Sequence, residues 1–121
     1  MSKRYVLVNK IKSEYLDQYI DAHMHMHESP FKDQLQILRD AGAIECICYI
    51  YDDLAILMYE CDDIDQSFSI LGQIPKRMEW EEFTGPMFAN SPKFDGSAQV
   101  PYLRKIFDMN QQLDNGKLEQ F

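Results

Sequence analysis

Hydrophobic and polar positions alternate along this chain with two periods. "RYVLVNK" is a short run of aromatic and β-branched residues and predicts a strand over about Arg4 to Asn9. Beyond Ser13, a candidate N-cap, the apolar or aromatic positions Tyr15, Leu16, Tyr19 and Ile20 recur at helical spacing. Glu14 and Asp17 suit the positive end of that helix dipole. "ESPF" interrupts the pattern, because residues before proline avoid the helical region. Ser29 then caps, and Pro30 opens, a second helical segment to about Ala41 with Phe31, Leu35 and Leu38 on one face, ended by Gly42. "IECICYIY" and "LAILMYEC" are strand-like runs joined by "DD", which predicts an antiparallel hairpin. Asp62 or Asp63 can cap a helix carrying Ile64, Phe68 and Leu71. Pro75 breaks it, and "KRMEWEEF" continues as a further turn or two. "GPMFANSPKFDGSAQVP" reads as a long loop. "YLRKIFDM" is expected to be a fourth strand, and residues from about 111 to 121 a polar, frayed tail.

The order β, broken α, β, β, broken α, β predicts an α+β fold: a ferredoxin-like split βαβ unit with a four-stranded antiparallel sheet. With the helices on one side, the other sheet face needs cover. "IECICYIY" and "LAILMY" are apolar on both faces, so a second copy packed by two-fold symmetry is expected.

Composition narrows the function classes. The 121 residues fit a single domain, here taken as 1–121, and 45% hydrophobic content supports a packed core. The net charge of -8 argues against nucleic acid or an anionic membrane as partner. The N-terminus has too short an apolar run for a signal peptide or a membrane span. Cys46, Cys48 and Cys61 form no C-x-x-C pair, and they read as reduced thiols of a cytoplasmic protein.

All three histidines, His23, His25 and His27, fall in "AHMHMHE". At about 100° per residue on a helix, His23 and His27 share a face with Tyr19 while His25 points away. At most an H-x3-H pair results, short of a zinc ligand set, so no metal and no cofactor are expected. Tyr19 and His23 lie one turn apart, which sets a phenol beside an imidazole. Imidazole is the side chain suited to give and take a proton near neutral pH. Trp80 stands among Glu79, Glu81 and Glu82. An aromatic ring beside carboxylates suits a sugar, whose C–H bonds pack on the ring and whose hydroxyls donate to the acids. Each of these features also has a structural reading, as core histidine, buried tryptophan or solvated acidic face. No catalytic triad or glycine-rich phosphate loop is visible.

Several segments together resemble a known family. "SEYLDQYIDAH" resembles the first-helix motif of the L-rhamnose mutarotase family. "LRDAGAIECICYIYDDLAILMYE" is similar to its helix end and central hairpin, "KRMEWEEF" to its tryptophan-bearing helix, and "YLRKIFDM" to its closing strand. The last two look closer to the L-fucose mutarotase-like branch. The resemblance implies a dimeric α+β barrel that interconverts the α and β anomers of a deoxy-hexose, L-fucose or L-rhamnose. It implies His23 as the catalytic residue, and Tyr19, Trp80, Glu81 and Cys46 as substrate-binding positions. The sequence departs from the family at Cys46, where a sugar-binding tyrosine is usual, and at Glu81, where a second tryptophan is usual. Phe31 stands late for the family's Trp-Pro, so "MHMHESP" looks like an insertion beside the site. A non-catalytic sugar-binding dimer and a small oxygenase-type enzyme are the alternative readings.

Overall fold

The computed structural model describes residues 1–121. Three antiparallel strands form one sheet: β1 (Lys3–Lys10), β2 (Glu45–Tyr51) and β3 (Leu54–Cys61), in the order β1-β3-β2. Between β1 and β2 run α1 (Leu16–Met24) and α2 (Asp33–Asp40). After β3 come α3 (Ile64–Gly72) and α4 (Pro75–Thr84), and a short α5 (Met109–Asp114) lies near the C-terminus. The hairpin turn carries Asp52 at φ 53, a left-handed position that Asp tolerates. Asp63 caps α3, its side chain accepting from the backbone N–H groups of Asp65 and Gln66. Pro75 does not break a helix but begins one, at the position where a missing N–H costs nothing. Ser29 accepts from the Phe31 N–H (3.0 Å), but regular helix starts only at Asp33. Ser13 opens a short 3-10 turn with no side-chain cap.

Register divides the sheet into two unlike faces. Cys46 lies opposite Tyr59 and Cys48 opposite Leu57, while Tyr5 lies opposite Tyr59 from the other side. These residues face the helices, and Tyr5, Leu7 and Tyr59 join Ile64, Phe68 and Leu71 in the larger core cluster. Ile47 and Tyr49 pair with Met58 and Ile56 on the opposite face. No helix covers that face, and Tyr49 is 59% exposed and Tyr51 67%.

The expected fourth strand is absent. Residues 102–108 carry no regular structure and touch β1 through one backbone bond, Leu103 N–H to the Val6 carbonyl (2.7 Å). One bond does not make a ladder, and the stretch leaves Ile106 74% and Phe107 64% exposed. The segment stands at the β1 edge, where a fourth strand of this topology belongs. The tail is polar but packed: the Phe121 ring lies 4.7 Å from that of Tyr5 and 5.5 Å from that of Tyr102.

Candidate functional site

Between the helices and the sheet lies a cavity of about 320 Å³. This is the low end of the range of about 300–1,000 Å³ typical of small-molecule sites. Tyr19, His23, Cys46, Trp80 and Glu81 all line it, so the five positions singled out from the sequence meet in one place. Most of the wall is apolar, Leu35, Leu38, Leu57, Phe68 and Leu71 included, and its polar side chains come from the sheet (Asn9, Cys46, Cys48, Tyr59) as well as from α1 and α4.

His23 occupies the last turn of α1. Its Nδ1 lies 2.7 Å from the Tyr19 carbonyl oxygen, one turn earlier. A carbonyl only accepts, so Nδ1 carries the hydrogen and neutral His23 keeps its lone pair on Nε2. The rings of Tyr19 and Trp80 enclose the imidazole at 4.2 and 5.1 Å. Burial pushes the His23 pKa below its usual range. The Tyr19 carbonyl works against that shift, and the Arg77 charge adds to it. His23 therefore stays largely neutral near pH 7, in the form that can accept a proton.

The other two histidines are elsewhere. α1 ends at Met24, His25 leaves helical geometry at φ -116 and ψ 20, and a 3-10 turn follows. His27 thus does not share the face of His23. His25 lies near Asp21 (3.6 Å) and Glu28 (3.9 Å), His27 near Glu28 (3.2 Å), and both histidine side chains are more than half exposed. No three His, Cys, Asp or Glu side chains converge on a point where a metal ion could be held.

Trp80 is buried on α4, edge-on to His23 and to Phe31 (5.3 Å), and Phe31 stacks on Phe83 (5.0 Å). Phe31 therefore supports the tryptophan despite its late position in the chain. Cys46 and Cys48 sit on the edge strand β2 with their side chains toward the cavity. Burial pushes the Cys46 thiol up to about 11, so it remains protonated. Tyr19 is likewise raised by burial, with the Cys48 thiol beside it.

Arg77 escaped the sequence reading. It is buried, one turn before Glu81, and its Nε donates to Glu81 Oε1 (2.9 Å). Its Nη1 donates to Gln34 Oε1 (3.2 Å), and Gln34 in turn donates to the Lys76 carbonyl (2.8 Å). The signal was the i,i+4 spacing of Arg77 and Glu81 on the helix that carries Trp80. Burial raises the Glu81 carboxyl above the usual range. Arg77 opposes that shift, and Asp95 reinforces it.

The arrangement offers a proton acceptor of fixed tautomer, a carboxyl held by a guanidinium, and aromatic walls, in a cavity of small-molecule size. A search of curated proteins finds no match. An L-rhamnose mutarotase from Formosa agariphila has a similar structure, with a TM-score of 0.63 at 16% identity, covering 88% of this chain and 98% of that one. At that identity the likeness shows the mixed α+β fold. The family model for L-rhamnose mutarotase matches residues 4–109, most of the chain, and the chain therefore belongs to the L-rhamnose mutarotase family of carbohydrate isomerases.

Proposed function

We propose that the protein interconverts the α and β anomers of a deoxy-hexose, L-rhamnose or L-fucose, with His23 as the group that moves the anomeric proton. The observation that carries this reading is the His23–Tyr19 carbonyl contact at 2.7 Å, which leaves Nε2 as the free nitrogen of an imidazole lining the cavity. Mutarotation removes the proton of the anomeric hydroxyl and delivers one to the ring oxygen. The ring opens, the carbonyl turns, and the reverse steps close it on the other face. Neither redox chemistry nor a strong nucleophile is needed. Proton transfer by a placed side chain typically contributes about 10²–10⁴-fold. Trp80 packs on one face of the sugar, and Tyr19, Glu81 and the Cys46 thiol meet its hydroxyls. The apolar wall of Leu35, Leu38 and Leu57 suits the methyl group that distinguishes a deoxy-hexose from its parent.

The same reading includes a homodimer. The uncovered sheet face with Ile47, Tyr49, Ile56 and Met58, together with exposed Ile106 and Phe107, forms apolar surface that a second copy covers. Free thiols at Cys46, Cys48 and Cys61 fit a reducing compartment such as the cytoplasm.

Exchange spectroscopy on equilibrated L-rhamnose and L-fucose tests the function. Faster exchange between the two anomeric protons at catalytic protein concentration supports it. Ligand shifts without exchange would mean a sugar-binding protein that does no chemistry.

A further inference from the structure

Ring opening needs two proton transfers, and neutral His23 can perform only one of them. It accepts the anomeric proton at Nε2, so another group must protonate the ring oxygen. The titratable groups lining the cavity, His23 aside, are few. Tyr59 is committed to Ser67 by a hydroxyl–hydroxyl bond of 2.7 Å, and burial pushes it up to about 12. Cys46 is pushed up to about 11, and Cys48 and Tyr19 are raised by burial and lie against each other. Burial moves all four away from the near-neutral range that suits a general acid. Arg77 keeps its charge throughout. The remaining group is the one carboxyl in the lining, Glu81.

Resting on the mutarotase reading, we infer that Glu81 is the second proton-transfer residue, the acid that protonates the ring oxygen while His23 takes the anomeric proton, and that Arg77 positions it. The geometry separates the work of its two oxygens. Oε1 accepts from Arg77 Nε at 2.9 Å, and no protein group bonds Oε2. No buried side-chain polar atom in the chain lacks a partner, so Oε2, which has none, is not fully buried. Glu81 also lines a second, more polar cavity of about 310 Å³ with Ser91, Lys93 and Asp95. It therefore stands between the sugar cavity and a polar cleft, through which its proton can exchange with water.

The step balances within the chain. The Nε2 lone pair of His23 takes the O1 proton, and the O1–H electrons become the second bond of C1=O1. The C1–O5 bond breaks onto O5, which takes the proton from Glu81 Oε2. The products are the open-chain aldehyde, an imidazolium and a carboxylate, with the Arg77 guanidinium already beside the new negative charge. After rotation about C1–C2 the same transfers run backward and restore both residues. The charged groups around the pair are Arg77 on His23, and Arg77 and Asp95 on Glu81. Burial lowers the pKa of His23 and raises that of Glu81, which brings the proton affinities of the two residues closer together.

The test follows anomer exchange from about pH 5 to pH 9 in wild type and Glu81→Gln, which keeps an acceptor for Arg77 but cannot donate a carboxyl proton. Wild type should give a bell-shaped profile, since rate is lost when both groups are protonated and when both are deprotonated. Glu81→Gln should lower the exchange rate by about 10²-fold and lose the alkaline limb, keeping only a rise through the His23 titration. Glu81→Asp, which restores a carboxyl, should recover both limbs at reduced rate. A structural role for Glu81 would lower the rate without changing the shape of the profile. Glu81→Gln within threefold of wild type, or with both limbs intact, overturns the proposal and leaves His23 chemistry standing. No exchange in wild type with any deoxy-hexose overturns the mutarotase reading and this proposal together.

Discussion

Replacing Arg77 by Met keeps most of the aliphatic stem but leaves the Glu81 carboxyl without its counter-charge. The two side chains are only 10% and 19% exposed, so solvent does little to screen the loss. Removing one partner of a buried ion pair typically costs about 3–5 kcal/mol. Gln34 Oε1 loses its donor as well. Glu81 has an escape, because it can take up a proton at about 1.4 kcal/mol per pH unit above its pKa. We expect a loss of about 3 kcal/mol at pH 8, the low end of the range for a broken buried pair. For a domain of this length that corresponds to a fall in Tm of about 10–15 °C. The sign of the pH dependence is fixed. Glu81 already has a folded-state pKa above the ordinary carboxylate value, and loss of Arg77 raises it further. A carboxyl raised on folding loses stability as pH climbs from its unfolded pKa to its folded one. The penalty of Arg77→Met should therefore be small near about pH 4.5 and grow above it. Urea unfolding followed by the single tryptophan, at fixed protein concentration and two pH values, measures both. A penalty below about 1 kcal/mol at pH 8, the size of an exposed pair, would refute the buried-pair argument. An equal penalty at both pH values would refute the assignment to Glu81.

Three further outcomes follow from the same geometry. Light scattering at micromolar concentration should give twice the 14.3 kDa chain mass, and Tyr49→Glu on the open sheet face should shift it toward monomer; a monomeric wild type contradicts the covered-face reading. Trp80 fluorescence should respond to saturating sugar, and Trp80→Phe should slow exchange; indifference in both would remove Trp80 from the sugar site. Gly72→Ala should cost about 1–3 kcal/mol, because a Cβ there would lie 1.9 Å from the Asp95 carbonyl oxygen and force the 90–100 segment off α3; an unchanged Tm would contradict that close approach.

Much of this architecture was legible in the chain because local rules and tertiary packing agree there. The hairpin from Glu45 to Cys61 follows from two strand-like runs and a turn that tolerates positive φ. The start of α3 follows from Asp63. The fourth strand was not legible in the same way. "YLRKIFDM" has strand composition, but strand structure needs a partner edge, and within this chain only the Leu103 N–H reaches one. Tyr19, His23 and Trp80 could be singled out because a phenol one helical turn from an imidazole and a lone tryptophan among carboxylates are uncommon patterns, and all three line the same cavity. Arg77 was not, since an arginine on a helix is ordinarily a solvated residue and only burial reveals that it holds Glu81. The end of α1 was ambiguous from spacing alone, and the structure separates His27 from His23 by ending the helix at Met24.

The separation of the three histidines is also what tests the central claim most directly. Anomer exchange should be measured side by side for wild type, His23→Asn and His25→Asn on the sugar that wild type turns over. His25 is exposed beside Asp21 and Glu28, away from the cavity, so its substitution should leave the rate within about twofold, far less than the 10²–10⁴-fold worth of a general acid–base group. His23→Asn should lower the rate by about 10²-fold or more with the fold intact. Full exchange in His23→Asn, or equal losses in both variants, would contradict the account.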